Sequence, residues 1–208
     1  MSNDNLTFED SPIPGHREPA AFSLSHKKLA MWLFIASDSI TFAAILFAYG
    51  FLRNGSADWP TPFQKSSVIT AYAMTFLLVS SSLMMVLAVR AAHTQRSKAL
   101  AWSGLAMSGG IGFVILHIRE WLRLIAAGMG MFHNSWGLEL FGAAFFSITG
   151  LHLAHVAVGT IAIAVVALGF QRGRYDAVDL EVWGLYWHFV DVVWMFIFPF
   201  VYLLNVRR

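Results

Sequence analysis

The sequence predicts an all-α protein, a polytopic membrane bundle of five transmembrane helices, and three observations predict it. Of 208 residues, 57% are hydrophobic and only 12% are charged, about half the charged share of an ordinary soluble domain. The apolar residues gather in five runs long enough to cross a hydrocarbon core of about 30 Å, which takes roughly 20 residues as helix. Only short, turn-rich stretches separate them, "RNGSADWPTP" (53–62), "HTQRSK" (93–98) and "QRGRYDAVD" (171–179), so no folded extramembrane domain fits between the spans.

Residues 1–27 are polar, with Asp4, Glu9, Asp10 and three of the six prolines. They lack a basic start followed at once by an apolar stretch, and a short tail is expected rather than a cleavable signal peptide. The membrane domain is expected over 28–208. Its first span, Leu29–Leu52, follows Lys27 and Lys28 and carries Asp38 near its middle in "FIASDSITF". Charge is costly at that depth. Two readings stand open: a neutral carboxyl hydrogen-bonded to the nearby hydroxyls of Ser37, Ser39 and Thr41, or a functional carboxyl.

The second span, Val68–Val89, carries no charge. The third, Ala99–Ile118, repeats Gly104, Ser108 and Gly112 every four residues, a flat seam on which another helix can approach closely, and it ends in "HIREW" with His117 and Glu120. The fourth, Leu140–Phe170, is long enough to tilt or to leave the lipid, and holds His152 and His155 three residues apart on one face. The fifth, Trp183–Val206, contains "GLYWHFVDVVWMFIFPFVYLL", where helical spacing makes His188 and Asp191 neighbours able to share a hydrogen bond or an ion pair. Pro199 removes one backbone donor from the turn that follows.

Composition also excludes. With no cysteine, disulfides, iron–sulfur clusters and thiolate-bound zinc or copper are out of reach, and any metal needs histidine and carboxylate ligands. The net charge is +2, and the basic residues near span ends suit anionic lipid headgroups rather than nucleic acid. Arg172 and Arg174, beside the aromatic entry that includes Trp187, are the expected headgroup contacts. With the N-terminus inside, the inner segments carry Arg17, Lys27, Lys28, Arg90, Arg96, Lys98, Arg172 and Arg174, eight of the 14 basic residues. The positive-inside rule then favours a cytoplasmic N-terminus and an external C-terminus.

Three helices contribute imidazoles. Histidines on facing helices could ligate a metal or haem; they could equally donate to carbonyls and carboxylates and hold the bundle together.

The motifs resemble a known family. "YWHFVDVVW" (186–194) and "FFSITGLHLAHVAVG" (145–159) resemble the last two helices of subunit III of the haem–copper terminal oxidases. "LFIASDSITF" (33–42) looks like that family's helix with an intramembrane carboxylate, "AVRAAHTQRSKAL" like its basic loop, and "HIREW" like a helix end with a glutamate. The order agrees along the chain from about residue 25. Five spans match the shorter bacterial forms, and an Asp at position 38, where Glu is frequent, leaves the electron donor open between cytochrome c and quinol.

The resemblance implies an accessory subunit of an oxidoreductase in the bacterial cytoplasmic membrane, with no catalytic residue and no metal site of its own. Haem and copper would reside in partner subunits, catalytic subunit I above all. Phospholipid would bind in a cleft between the first helices and the rest, and proton uptake and turnover would be sustained. Asp38 would be the intramembrane carboxylate, and His117, Glu120, His152, His155, His188 and Asp191 a structural polar network. Two other classes compete: a stand-alone transporter of protons or divalent metal lined by those same residues, and a small b-type cytochrome using the histidines axially.

Overall fold

A computed structural model describes residues 25–132 and 137–206; most of the expected tail, 1–24, lies outside them. Five long helices run in chain order: α1 (His26–Gly55), α2 (Lys65–Ala92), α3 (Arg96–Ala126), α4 (Glu139–Gln171) and α5 (Ala177–Ile197). The chain then continues through a wide π turn, Phe198–Tyr202, and a 3-10 turn, Leu203–Asn205. Each helix, with α5 counted through Asn205, is long and apolar enough to cross a membrane.

The π turn starts where Pro199 withholds its N–H, so the loss expected from the sequence is absorbed by widening the helix. Two boundaries differ most from expectation. α3 runs eight residues past Ile118, because Arg119, Glu120 and Arg123 continue the helix, with Glu120 Oε1 3.6 Å from Arg123 Nη2 one turn on. α5 begins at Ala177 rather than Trp183, because Asp176 and Asp179 exchange side-chain and backbone bonds in a reciprocal cap.

Helices α2 to α5 form the packed body, with α3 against α2 and α4, and α5 against α2 and α4. α1 leans on α4 and α5 from outside and buries only Ile35, Phe42 and Tyr49, spaced seven residues apart.

The core is organised around Trp187 and Trp194. Trp187 lies in a slot floored by Gly110 on α3 and Gly159 on α4, where an added Cβ would stand 2.7 and 2.9 Å from its ring, and its indole N–H donates to Ser81. Trp194 donates to Thr75 and sits edge-on to Phe113.

Of the expected small-residue seam only Gly112 faces α2, where a Cβ would stand 3.1 Å from Leu77. Gly104 and Ser108 point outward, while Ser103, Ala106, Gly109 and Gly110 are buried. A Cβ on Gly109 would stand 2.7 Å from Ser81 Cβ, which measures how closely α2 and α3 approach there.

Candidate functional site: polar groups in the membrane layer

α1 has little buried apolar surface, so polar contacts along its length fix it. At one end Lys27 Nζ lies 2.6 Å from Asp179 and Lys28 Nζ 2.7 Å from Glu181, both on the first turns of α5. At the other end Arg53 donates to the Leu204 carbonyl at 3.0 Å, and Asn205 Nδ2 donates to the Tyr49 hydroxyl at 2.6 Å. Between them, Asp38 Oδ2 lies 3.1 Å from His155 Nε2 on α4, in a contact that is close but not aligned as a linear hydrogen bond.

This is not the partner the sequence suggested. Ser37, Ser39 and Thr41 turn their hydroxyls back to the carbonyls of Phe34, Ile35 and Ser37 on their own helix, as Ser and Thr do inside helices, and are engaged there. His155 is oriented for Asp38 by its other nitrogen. Nδ1 lies 2.7 Å from the Leu151 carbonyl, which only accepts, so Nδ1 carries the proton and Nε2 faces the carboxyl. The unprotonated Nε2 and the Asp38 carboxyl therefore face each other at 3.1 Å. Phe42 covers the pair edge-on to the imidazole at 5.2 Å.

The remaining histidines and acids divide into two groups. His117 and His152 are fully buried on α3 and α4 and both pack against Phe113 and Trp194. His152 Nε2 donates to the Val190 carbonyl at 3.2 Å, and Glu120 is buried beside Arg123. Although His152 and His155 share a face in the sequence, they serve different neighbours, α5 and α1.

The second group sits between α2 and α5. His188 Nδ1 lies 2.6 Å from Ser82 Oγ on α2, so the imidazole expected to pair directly with Asp191 is engaged by a serine from another helix instead. Among the described residues, no three His, Asp or Glu side chains converge as a metal site.

Of the residues expected to meet headgroups, Arg172 and Arg174 are exposed on the tight α4–α5 turn, where Gly173 takes φ +73°. Trp187 is 1% exposed in the core and presents no surface to lipid. An apolar groove does open between α1 and α5, lined by Ser39, Phe42, Ala43, Leu46, Phe189 and Val193, and it continues past Leu46 toward Gly50 and Asn54.

The sequence model described as cytochrome c oxidase subunit III matches residues 10–206. The chain belongs to the cytochrome c oxidase subunit III family. It is 36% identical to the cytochrome c oxidase subunit 3 of Alkalihalophilus pseudofirmus, over 93% of this chain and 94% of that one. It is also 29% identical to the cytochrome bo(3) ubiquinol oxidase subunit 3 of Pseudomonas aeruginosa, over 97% and 96%. A haem-copper oxidase subunit I+III of Aeropyrum pernix matches at 29% over 92% of this chain, within 24% of its own length. In this chain the subunit III family fold is a multi-pass membrane bundle in which Asp38 and His155 make one of the polar contacts near mid-span.

Proposed function

We infer that this chain is the accessory, non-redox subunit of a haem–copper terminal oxidase in a bacterial cytoplasmic membrane, packed against the haem- and copper-bearing catalytic subunit and sustaining its proton uptake and turnover. The observation that carries this reading is family membership over residues 10–206, nearly the whole chain.

The geometry is consistent with a supporting role. Asp38 joins α1 to α4 through His155, while the other intramembrane carboxylates have their own neighbours, Glu120 beside Arg123 and Asp191 beside Ser82. The three stand on α1, α3 and α5 with no relay between them, so the reading favours Asp38 shaping the helix and the lipid cleft beside it over carrying protons itself. The groove between α1 and α5 suits an acyl chain, and Arg172 and Arg174 suit anionic headgroups on the inner side. That side is assigned by the basic residues gathered at the end of the bundle where α1 begins, with the N-terminus cytoplasmic and the C-terminus outside.

Transport by the chain alone, or haem bound axially, is less well supported. The test is removal of this subunit from the purified oxidase: steady-state oxygen reduction and proton uptake should fall while the haem absorption spectrum stays unchanged. Loss of a haem band with the subunit would contradict the reading.

A further inference from the structure

Two cavities meet near Arg96, where α3 begins beside the end of α4. Arg96 Nη2 donates to the Phe170 carbonyl, and the guanidinium lies over the Phe170 ring, 5.4 Å from its centre. The side chain is thus held across the two helices, yet the residue is exposed and forms no ion pair among the described residues. Its remaining N–H groups stay available to a ligand.

On one side Arg96 borders a polar recess of about 270 Å³ with His93, Thr94 and Tyr175. One turn further along, an apolar groove of about 240 Å³ opens between the helices, lined by Leu100, Gly104 and Met107 on α3 and by Ala164, Ala167 and Gln171 on α4. Small residues leave it open: a Cβ on Gly104 would find nothing within 4 Å. At 1.5 Å per residue the groove lies about 6 to 16 Å beyond Arg96, the depth of one leaflet of hydrocarbon.

Shape and charge select the occupant. One turn of a helix, 10–12 Å across and 5.4 Å high, fills about 400–600 Å³, so the groove takes a single chain and not a helix. No Asp or Glu occurs between Asp58 and Glu120 or between Glu139 and Asp176, and the Asp176 side chain is engaged in the cap of α5. The ammonium of a zwitterionic headgroup therefore finds no carboxylate in the recess. A phosphate that keeps its net negative charge is the complement.

We propose that the recess at Arg96 and the α3–α4 groove form one seat for an anionic phospholipid, with its phosphate on Arg96 and an acyl chain between Leu100 and Met107. The seat is separate from the α1–α5 groove and from Arg172 and Arg174, which line neither cavity. It belongs to this chain itself, whichever complex the chain serves.

The test photolabels the intact complex with a phosphatidylglycerol that carries a diazirine in mid-chain, in competition with unlabelled phosphatidylglycerol or phosphatidylcholine of the same chain length. Label should appear on α3 at 100–107 and on α4 at 164–171. Phosphatidylglycerol should compete about fivefold better than phosphatidylcholine, the weight of one basic residue at a membrane surface, and Arg96→Gln should abolish that preference. Gly104→Leu, which fills the groove and leaves Arg96 in place, should remove the label from these segments while label in the α1–α5 groove persists. Equal competition by the two lipids in the wild type overturns the proposal, as does label unchanged by Gly104→Leu. Label that reaches these segments only after the subunit is separated also overturns it, by assigning the face to a partner.

Discussion

Replacing Asp38 separates a structural from a proton-carrying role, because its partner is defined. His155 Nδ1 donates to Leu151, which turns Nε2 toward the carboxyl at 3.1 Å. Asp38→Asn supplies an amide N–H to Nε2 and preserves the contact, whereas Asp38→Leu removes it and leaves the ring nitrogen alone in the membrane. An interhelical polar contact in a bilayer contributes on average ~0.6 and at most ~1.7 kcal/mol, a factor of roughly three to twenty in the equilibrium between docked and loose α1. The apolar burial of α1 is too sparse to mask this, since Ile35, Phe42 and Tyr49 are all it buries. The assay pairs modification of a single cysteine at Ile35, which docked α1 buries, with proton-pumping and turnover measurements on complexes that retain the chain. Leu should raise the modification rate by that factor, and Asn should match wild type in modification, pumping and turnover. A severe loss of pumping or turnover in the Asn variant, with α1 still docked, would refute the structural role, because an amide cannot cycle between charged and neutral forms.

Three other changes test separate parts of the account. Gly110→Val should destabilise the bundle by about 1–3 kcal/mol through overpacking, since even a Cβ there meets Thr160 at 2.5 Å and Trp187 at 2.7 Å; thermal unfolding of the purified subunit measures it. Asn205→Leu removes the bond to Tyr49 and leaves that buried hydroxyl without its donor, at a cost of about 1–3 kcal/mol, read as a lower midpoint in the same melt. Replacing Arg172 and Arg174 together with Gln should deplete tightly bound acidic lipid from the complex, and native mass spectrometry showing the same lipids retained would remove the headgroup assignment.

The five spans were readable because long apolar runs are the dominant signal in a membrane protein, whereas contacts between helices were not. The link between Asp38 and His155 joins residues on α1 and α4, and no local spacing reveals it. Ser82 sits in the plain run "SSS" (80–82) and gained its role only when α2 met α5. Trp187 reads as a membrane-interface aromatic because it lies near a span end, yet glycines on two other helices make room for it in the core. The seam was only partly legible because Gly104, Ser108 and Gly112 and the buried Ser103, Ala106 and Gly109 are both small series on α3, and the approach of α2 takes the second series together with Gly112.

The central claim, that this chain is a non-redox subunit of a haem–copper oxidase, is tested most directly by native purification through a tag on this chain, followed by an absorption spectrum before and after the subunits are separated. The account predicts haem bands in the intact eluate that stay with a larger partner on separation and leave this chain colourless. A chain that purifies alone, or one that keeps the haem bands after separation, would contradict it.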